Sequence, residues 1–275
     1  MSFVLQVLKE LAGVASQLFK YYSKPTTYED ITKDVPSHIK SKLDKLENMD
    51  DTKISSTQKL HTGPDGKYTK DRQKLHMNIV KSILTPDVIK NAKPKPGTRP
   101  VAHFLGGRPG SGKSFFTSGP KPLINTKNSL VVNPDDVKAK LPEYKGDNAA
   151  QVHEESSDIT SLVSRNARKH GLNLVYDATM SSYPKLKNKI QDLQKSGYDV
   201  HGHYMFTPPH ISAKRSIDRF VKTGRHVPIK HILDSTENES SFDANIHNFK
   251  KWDVYENMGD SPKLVARSHS NLGHK

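Results

Sequence analysis

The 275-residue chain has no cysteine and a single tryptophan. The first absence excludes disulfides and thiolate metal sites, and with them the small disulfide-stapled class of fold. Apolar residues make up only 33% of the chain, and mean hydropathy is −0.73. No run of about 18 apolar residues occurs, so no membrane span is read. The most apolar stretch, Phe3 to Phe19, is interrupted by Lys9 and Glu10 and has no basic leader, so it is not read as a signal peptide. No internal repeat is visible. Negative charge is scarce too. There are 29 Asp and Glu against 43 Lys and Arg, a formal net charge of +14. The excess is spread along the chain and is not gathered in one tail. It leaves a polyanionic partner open, but no basic motif interleaved with aromatics is present. A phosphate-binding enzyme with a lysine-rich, solvated surface is therefore favoured over a nucleic-acid binder.

What is present in strength is one glycine-rich stretch. Residues 101–114 read VAHFLGGRPGSGKS. An apolar run ends in glycines, and Gly107, Gly112, Lys113 and Ser114 match G-x-x-x-x-G-K-[ST], the phosphate-binding P-loop pattern. Gly107, Arg108, Pro109, Gly110, Ser111, Gly112, Lys113 and Ser114 are thus expected to cradle a nucleotide. The glycines free the backbone to bring its N–H groups to phosphate oxygens. The helix opening at Ser114 offers an anion-favouring N-terminus. The Lys113 ammonium is expected to reach the β- and γ-phosphates, and the Ser114 hydroxyl to bind Mg²⁺.

Around this loop the chain divides into three expected parts. Residues 1–60 read as a helical, partly disordered N-terminal extension. Its first 22 residues place Val4, Leu8, Leu11, Val14 and Leu18 on one helical stripe, which suits a partner protein, a membrane surface or the chain's own body. A short helix is expected over residues 37–48. Residues 61–96 read as a helical lead-in and linker, with a helix over 70–84 and a second, short one capped by Thr85 with Pro86 at its first position. Residues 97–275 read as the P-loop domain. There, strands near 101–105, 130–132, 172–176, 198–206 and 264–266 alternate with helical patterns over 147–170, 183–196, 208–222, 229–233 and 241–257. The expected fold class is α/β: a parallel sheet of about five strands flanked by helices, with ligands at the carboxyl ends of the strands.

The chemically interesting residues fall at those ends. In NPDDVKAKLPEY (133–144), Asp135 and Asp136 follow the second strand. A kinase needs a carboxylate to take the proton of the attacking hydroxyl, and one Asp can also cap a helix. Asp177, in DAT (177–179), suits a Mg²⁺ ligand or a holder of a substrate hydroxyl, and Thr179 suits the latter. Glu154 and Ser157 share one helix face and suit a polar substrate or plain solvent. Arg215, Arg219, Lys222 and Arg225, with Gly224 between them, suit either a closing lid or a basic solvated helix. His201 and His203 alternate on one strand without a third metal partner.

In this order the motifs resemble those of the zeta-toxin family of P-loop kinases, from about Arg99 to Met258. The matching pieces are GRPGSGKS (107–114), NPDDVKAKLPEY (133–144), HEESS (153–157), NLVYDAT (173–179) and TGRHVP (223–228). The resemblance implies ATP or GTP as phosphate donor with Mg²⁺, and phosphorylation of the 3′-hydroxyl of UDP-N-acetylglucosamine. It also implies a small helical antitoxin as partner. The expected location is cytoplasmic, or virion-associated if the chain is phage-encoded. It puts Asp135 at the family's catalytic base, Arg219 and Arg225 at its lid arginines, and Asp177 and Thr179 at its acidic-x-Thr substrate element. The chain departs from the pattern at Ser181, where the family carries Arg, at Asp177, where it carries Glu, and in a shorter lid. These departures touch acceptor contacts more than nucleotide contacts. Two other functions compete: a polynucleotide 5′-kinase, and a virion or complex component docking through its N-terminal helix.

Overall fold

The computed structural model describes residues 13–49, 55–118, 122–177, 179–259 and 261–268. Six strands form one sheet in the order β2-β3-β1-β4-β5-β6. They are β1 (Val101–Gly106), β2 (Leu130–Val132), β3 (Leu174–Asp177), β4 (Asp199–Phe206), β5 (Lys251–Glu256) and β6 (Lys263–Arg267). The first five are parallel, and β6 runs antiparallel against β5. The chain moves from β1 outward to β2 on one side and later to β4 on the other, so the order reverses beside β1. That is where an open α/β sheet places its ligand crevice.

Alternation along the strands sorts the core. Ala102 and Phe104 of β1, Leu174 and Tyr176 of β3, and Val200 and Tyr204 of β4 point to one face. This face is covered by α5 (Lys70–Ile83), α9 (His153–Lys169), α10 (Tyr183–Lys195) and α13 (Glu237–Asn245). Leu105, Val175 and Met205 point to the other face, with Phe116 of the short α7 (Phe115–Ser118) and Ile124. The remaining helices are α1 (Val14–Tyr22), α2 (Tyr28–Thr32), α3 (Ser37–Glu47), α4 (Thr57–His61), α6 (Pro86–Asn91), α8 (Pro134–Lys138), α11 (Pro209–Thr223) and α12 (Ile229–Asp234). At α6 the Thr85 hydroxyl accepts from the Val88 N–H with Pro86 at the first position, as the sequence predicts.

One expectation needs correction. The sheet has six strands, because residues 251–256 are not helical. α13 stops at Asn245, a 3₁₀ turn follows over Ile246–Asn248, and KWDVYE then pairs with the open edge of β4 from His201 to Phe206. Trp252, Val254 and Tyr255 are strand formers, and an unpaired edge outweighs a weak helical pattern. The described helices of the N-terminal part pack on the P-loop domain. Val14, Ala15 and Leu18 of α1 are buried in the main core, and Asp243 of α13 accepts from the Ala15 and Ser16 N–H groups at 3.0 and 2.8 Å. α2 and α3 bury Tyr28, Ile31 and Leu43 against Ala213, Ile217, Phe220, Ile229 and Ile232 of α11 and α12. The described part of the apolar stripe thus packs on its own body; Val4, Leu8 and Leu11 lie outside the described residues.

Candidate active site

The P-loop connects β1 to α7. Gly107 has φ of 131° and Gly110 of 81°. A Cβ at Gly107 would stand 2.4 Å from the Met205 carbonyl oxygen, and one at Gly110 would stand 2.2 Å from that of Ser212. Only glycine meets both demands. The Lys113 ammonium donates to the carbonyls of Gly107 at 2.6 Å and Arg108 at 3.3 Å. Burial pushes Lys113 down to about 8, helped by the Arg219 and Arg225 charges and opposed by Asp177 and Asp135. The Arg108 side chain turns away from the loop. It is 1% exposed and donates to the carbonyls of Ile232 and Ser235 and, at 2.8 Å, to the Glu239 carboxylate. Only its backbone remains for a nucleotide.

Asp135 follows β2 in the first turn of α8. The helix cap is Asn133, whose side chain accepts from the Asp135 N–H at 2.9 Å. Neither aspartate is therefore used as the cap, and Asp135 is free for other partners. It receives Arg225, and Lys138 at 3.4 Å. Burial raises its pKa, but these cations more than offset that and hold the carboxyl below the ordinary range. Asp136 goes the other way, raised by burial and by the Asp135 charge. Arg219, on α11, is half-buried, and its Nε and Nη2 have no partner among the described residues. Burial and the neighbouring Arg225 push its pKa down. An unpartnered guanidinium beside a lysine and a second arginine calls for an anion.

Asp177 ends β3. Burial raises its pKa, Lys113 lowers it, and Asp135 raises it further. No hydrogen bond joins its carboxylate to another side chain among the described residues. The Ser114 hydroxyl is exposed. Thr179 donates to the Ser181 hydroxyl at 3.1 Å. Glu154 and Ser157 stand at the start of α9; Glu154 is exposed, and the Ser157 hydroxyl donates to the His153 carbonyl at 2.9 Å.

Lys113, Asp135, Asp177, Arg219 and Arg225 are thus brought within electrostatic reach of one another. Arg215 is not among them. It reaches the carbonyls of Asn257 and Gly259 beyond β5, and Lys222 is exposed. His201 and His203 join a different group: His203 is hydrogen-bonded to His103 and to Asp253, each at 2.8 Å. Sequence reasoning missed two residues. Glu155, fully buried, pairs with Arg72 and His76 and ties α5 to α9. Glu47, at the end of α3, accepts from the Ile229 and Lys230 N–H groups and contacts His226, so it holds the segment that carries Arg225. Nothing local in the sequence marks either one, because their partners lie 83 and about 180 residues away.

The parallel sheet, the glycine loop after its central strand and the clustered cations define a P-loop nucleotide-binding protein of the kinase kind. A family model described as Zeta toxin matches residues 86–268, and the chain belongs to that family. Solved structures share the fold. A complex of AvrRxo1-ORF1 with AvrRxo1-ORF2 and sulphate ions is 18% identical with a TM-score of 0.63, covering 78% of this chain and 76% of that one. The same pair with ATP gives 17%, 0.62, 78% and 76%. The PezAT chromosomal toxin–antitoxin system of Streptococcus pneumoniae gives 18%, 0.53, 69% and 78%. No curated protein matches the chain. No helix among the described residues is long and apolar enough to cross a membrane.

Proposed function

We propose that the protein transfers the γ-phosphate of ATP to a substrate hydroxyl, and that the acceptor is the 3′-hydroxyl of UDP-N-acetylglucosamine. The observation that carries this reading is the Asp135 carboxylate, not used as the helix cap, just after β2, hydrogen-bonded to Arg225 and within electrostatic reach of Lys113. A simple nucleotide hydrolase has no need of such a base aimed at an acceptor. As the hydroxyl oxygen attacks the γ-phosphorus, its proton passes to Asp135 and the bond to the β-phosphate oxygen breaks, releasing ADP. Lys113, Arg219 and Arg225 take up the charge on the transferred group. The backbone N–H groups of residues 107–114 hold the phosphates. Mg²⁺, held by Ser114 and Asp177, would neutralise the phosphate oxygens when bound. Glu154, Ser157, Asp177 and Thr179 line the acceptor side.

The ATP complex of AvrRxo1-ORF1 supports ATP as donor, and GTP is the second nucleotide to try. The PezAT toxin–antitoxin system and the paired chains of AvrRxo1 support a protein antitoxin as partner, which the family resemblance makes small and helical. Cytoplasmic action follows from where ATP and a sugar nucleotide meet. Docking through the described part of the first helix is disfavoured, because Val14, Ala15 and Leu18 are already used inside the body.

The test is incubation with ATP, Mg²⁺ and UDP-N-acetylglucosamine, read by mass spectrometry and ³¹P NMR. A singly phosphorylated sugar nucleotide is expected. Folded, ATP-binding protein that makes none, but labels the 5′ end of an oligonucleotide, would make it a polynucleotide kinase.

A further inference from the structure

Met180 is the one non-glycine residue with positive φ, 58°, among the described residues. Left-handed backbone is rare for a bulky side chain, because Cβ crowds the following carbonyl, and it persists only where packing enforces it. The packing is visible here. Met180 is 5% exposed and lies against the backbone of Gly106, the last residue of β1, and beside the Tyr204 ring. A Cβ at Gly106 would stand 2.6 Å from the Met180 sulfur and 2.8 Å from the Tyr204 ring. The groove that takes the thioether therefore exists only because residue 106 has no side chain. The wedge is anchored behind. The Tyr204 hydroxyl donates to Glu239 at 2.8 Å, and Glu239 accepts from the buried Arg108 of the P-loop at the same distance. On the other side, the Thr179 carbonyl accepts from the Gly107 N–H at 3.4 Å, and the Thr179 and Ser181 hydroxyls are joined.

We propose that Met180 is a positioning residue. Its side chain, wedged between Gly106 and Tyr204, holds the backbone of residues 179–181 in a left-handed turn. That turn fixes the Thr179 and Ser181 hydroxyls relative to the P-loop, and so sets where the acceptor hydroxyl meets the γ-phosphate. Met180 touches no reacting atom. The inference rests on the kinase reading for its functional part, and on packing alone for its structural part.

The test compares Met180→Ala, which removes the wedge, with Met180→Leu, which refills it. In the full chain with ATP and UDP-N-acetylglucosamine, Met180→Ala is expected to raise the acceptor KM about tenfold, since a small misplacement of reacting groups is costly. ATP affinity is expected to change much less than the acceptor KM, and Met180→Leu to recover most of the loss. Amide hydrogen exchange gives a readout that needs no acceptor. The Gly107 amide and residues 179–182 are expected to exchange faster in Met180→Ala and at wild-type rates in Met180→Leu. An unchanged acceptor KM in Met180→Ala beside an active wild type would overturn the proposal, as would unchanged exchange. If the wild type phosphorylates no acceptor, the kinase reading fails and exchange alone decides whether Met180 locks the turn.

Discussion

Arg225 donates a hydrogen bond to the Asp135 carboxylate across 90 residues of sequence, joining the start of α8 to the segment after α11. The proposed base thus has an arginine of the same chain as its partner. With Lys138, this cation more than offsets the effect of burial and keeps Asp135 ionised to a lower pH than an ordinary aspartate. Arg225→Gln should raise the Asp135 pKa. The acidic limb of kcat/KM, which reports the free enzyme, should then move to higher pH. The same variant should lower kcat about a hundredfold, because charge stabilisation at the transferred group is lost. Initial rates from pH 4 upward check both.

Lys113 should set the opposite limb. Its ammonium is pushed by burial down to about 8. The sign is that of a depressed base: below about pH 8 the group is charged and can pair with phosphate, and above it the charge is lost. ATP affinity of the free protein should therefore fall as pH rises through about 8, measured by calorimetry. Lys113→Ala should abolish this dependence along with most of the affinity.

Glu47 predicts a long-range effect on the lid. It is almost fully buried, accepts from the first two N–H groups of α12 and contacts His226, next to Arg225. Glu47→Ala should lower kcat by loosening Arg225 while leaving ATP affinity nearly intact. Steady-state kinetics and calorimetry on the same preparation separate the two.

The Arg72–Glu155 pair is a statement about stability. Arg72 is 6% exposed, Glu155 is fully buried, and the guanidinium also binds Glu143 in a two-pronged contact at 2.8 and 2.9 Å. Arg72→Met should destabilise the fold by about 3–5 kcal/mol, since it leaves a buried carboxylate without its cation. Burial raises Glu155, but Arg72 and His76 bring it to about 2. Its contribution is therefore full above the unfolded value, about 4.3, and is lost as pH falls from there toward 2. Melting curves across that range should show the loss in the wild type and a flatter profile in Arg72→Met.

The P-loop fold was legible because the residues of its loop are contiguous. The loop from Gly107 to Ser114 carries its geometry in its own glycines. Asp135 was legible as a residue after a strand, although the reason it is free, the Asn133 cap, needed the structure. The acceptor half and the lid supports were not legible. Met180, Glu47 and Glu155 are ordinary residues locally and acquire their roles only through distant partners. The missed strand at Lys251–Glu256 has the same origin: β4 offers it an edge that no window of the sequence contains.

The most direct test of phosphotransfer through Asp135 is the rate of phosphorylated UDP-N-acetylglucosamine formation by Asp135→Asn against the wild type, with ATP affinity measured alongside. The amide keeps the shape and removes the base. The rate should fall by about a hundredfold to ten-thousandfold, with ATP still bound. A variant as fast as the wild type would contradict the account.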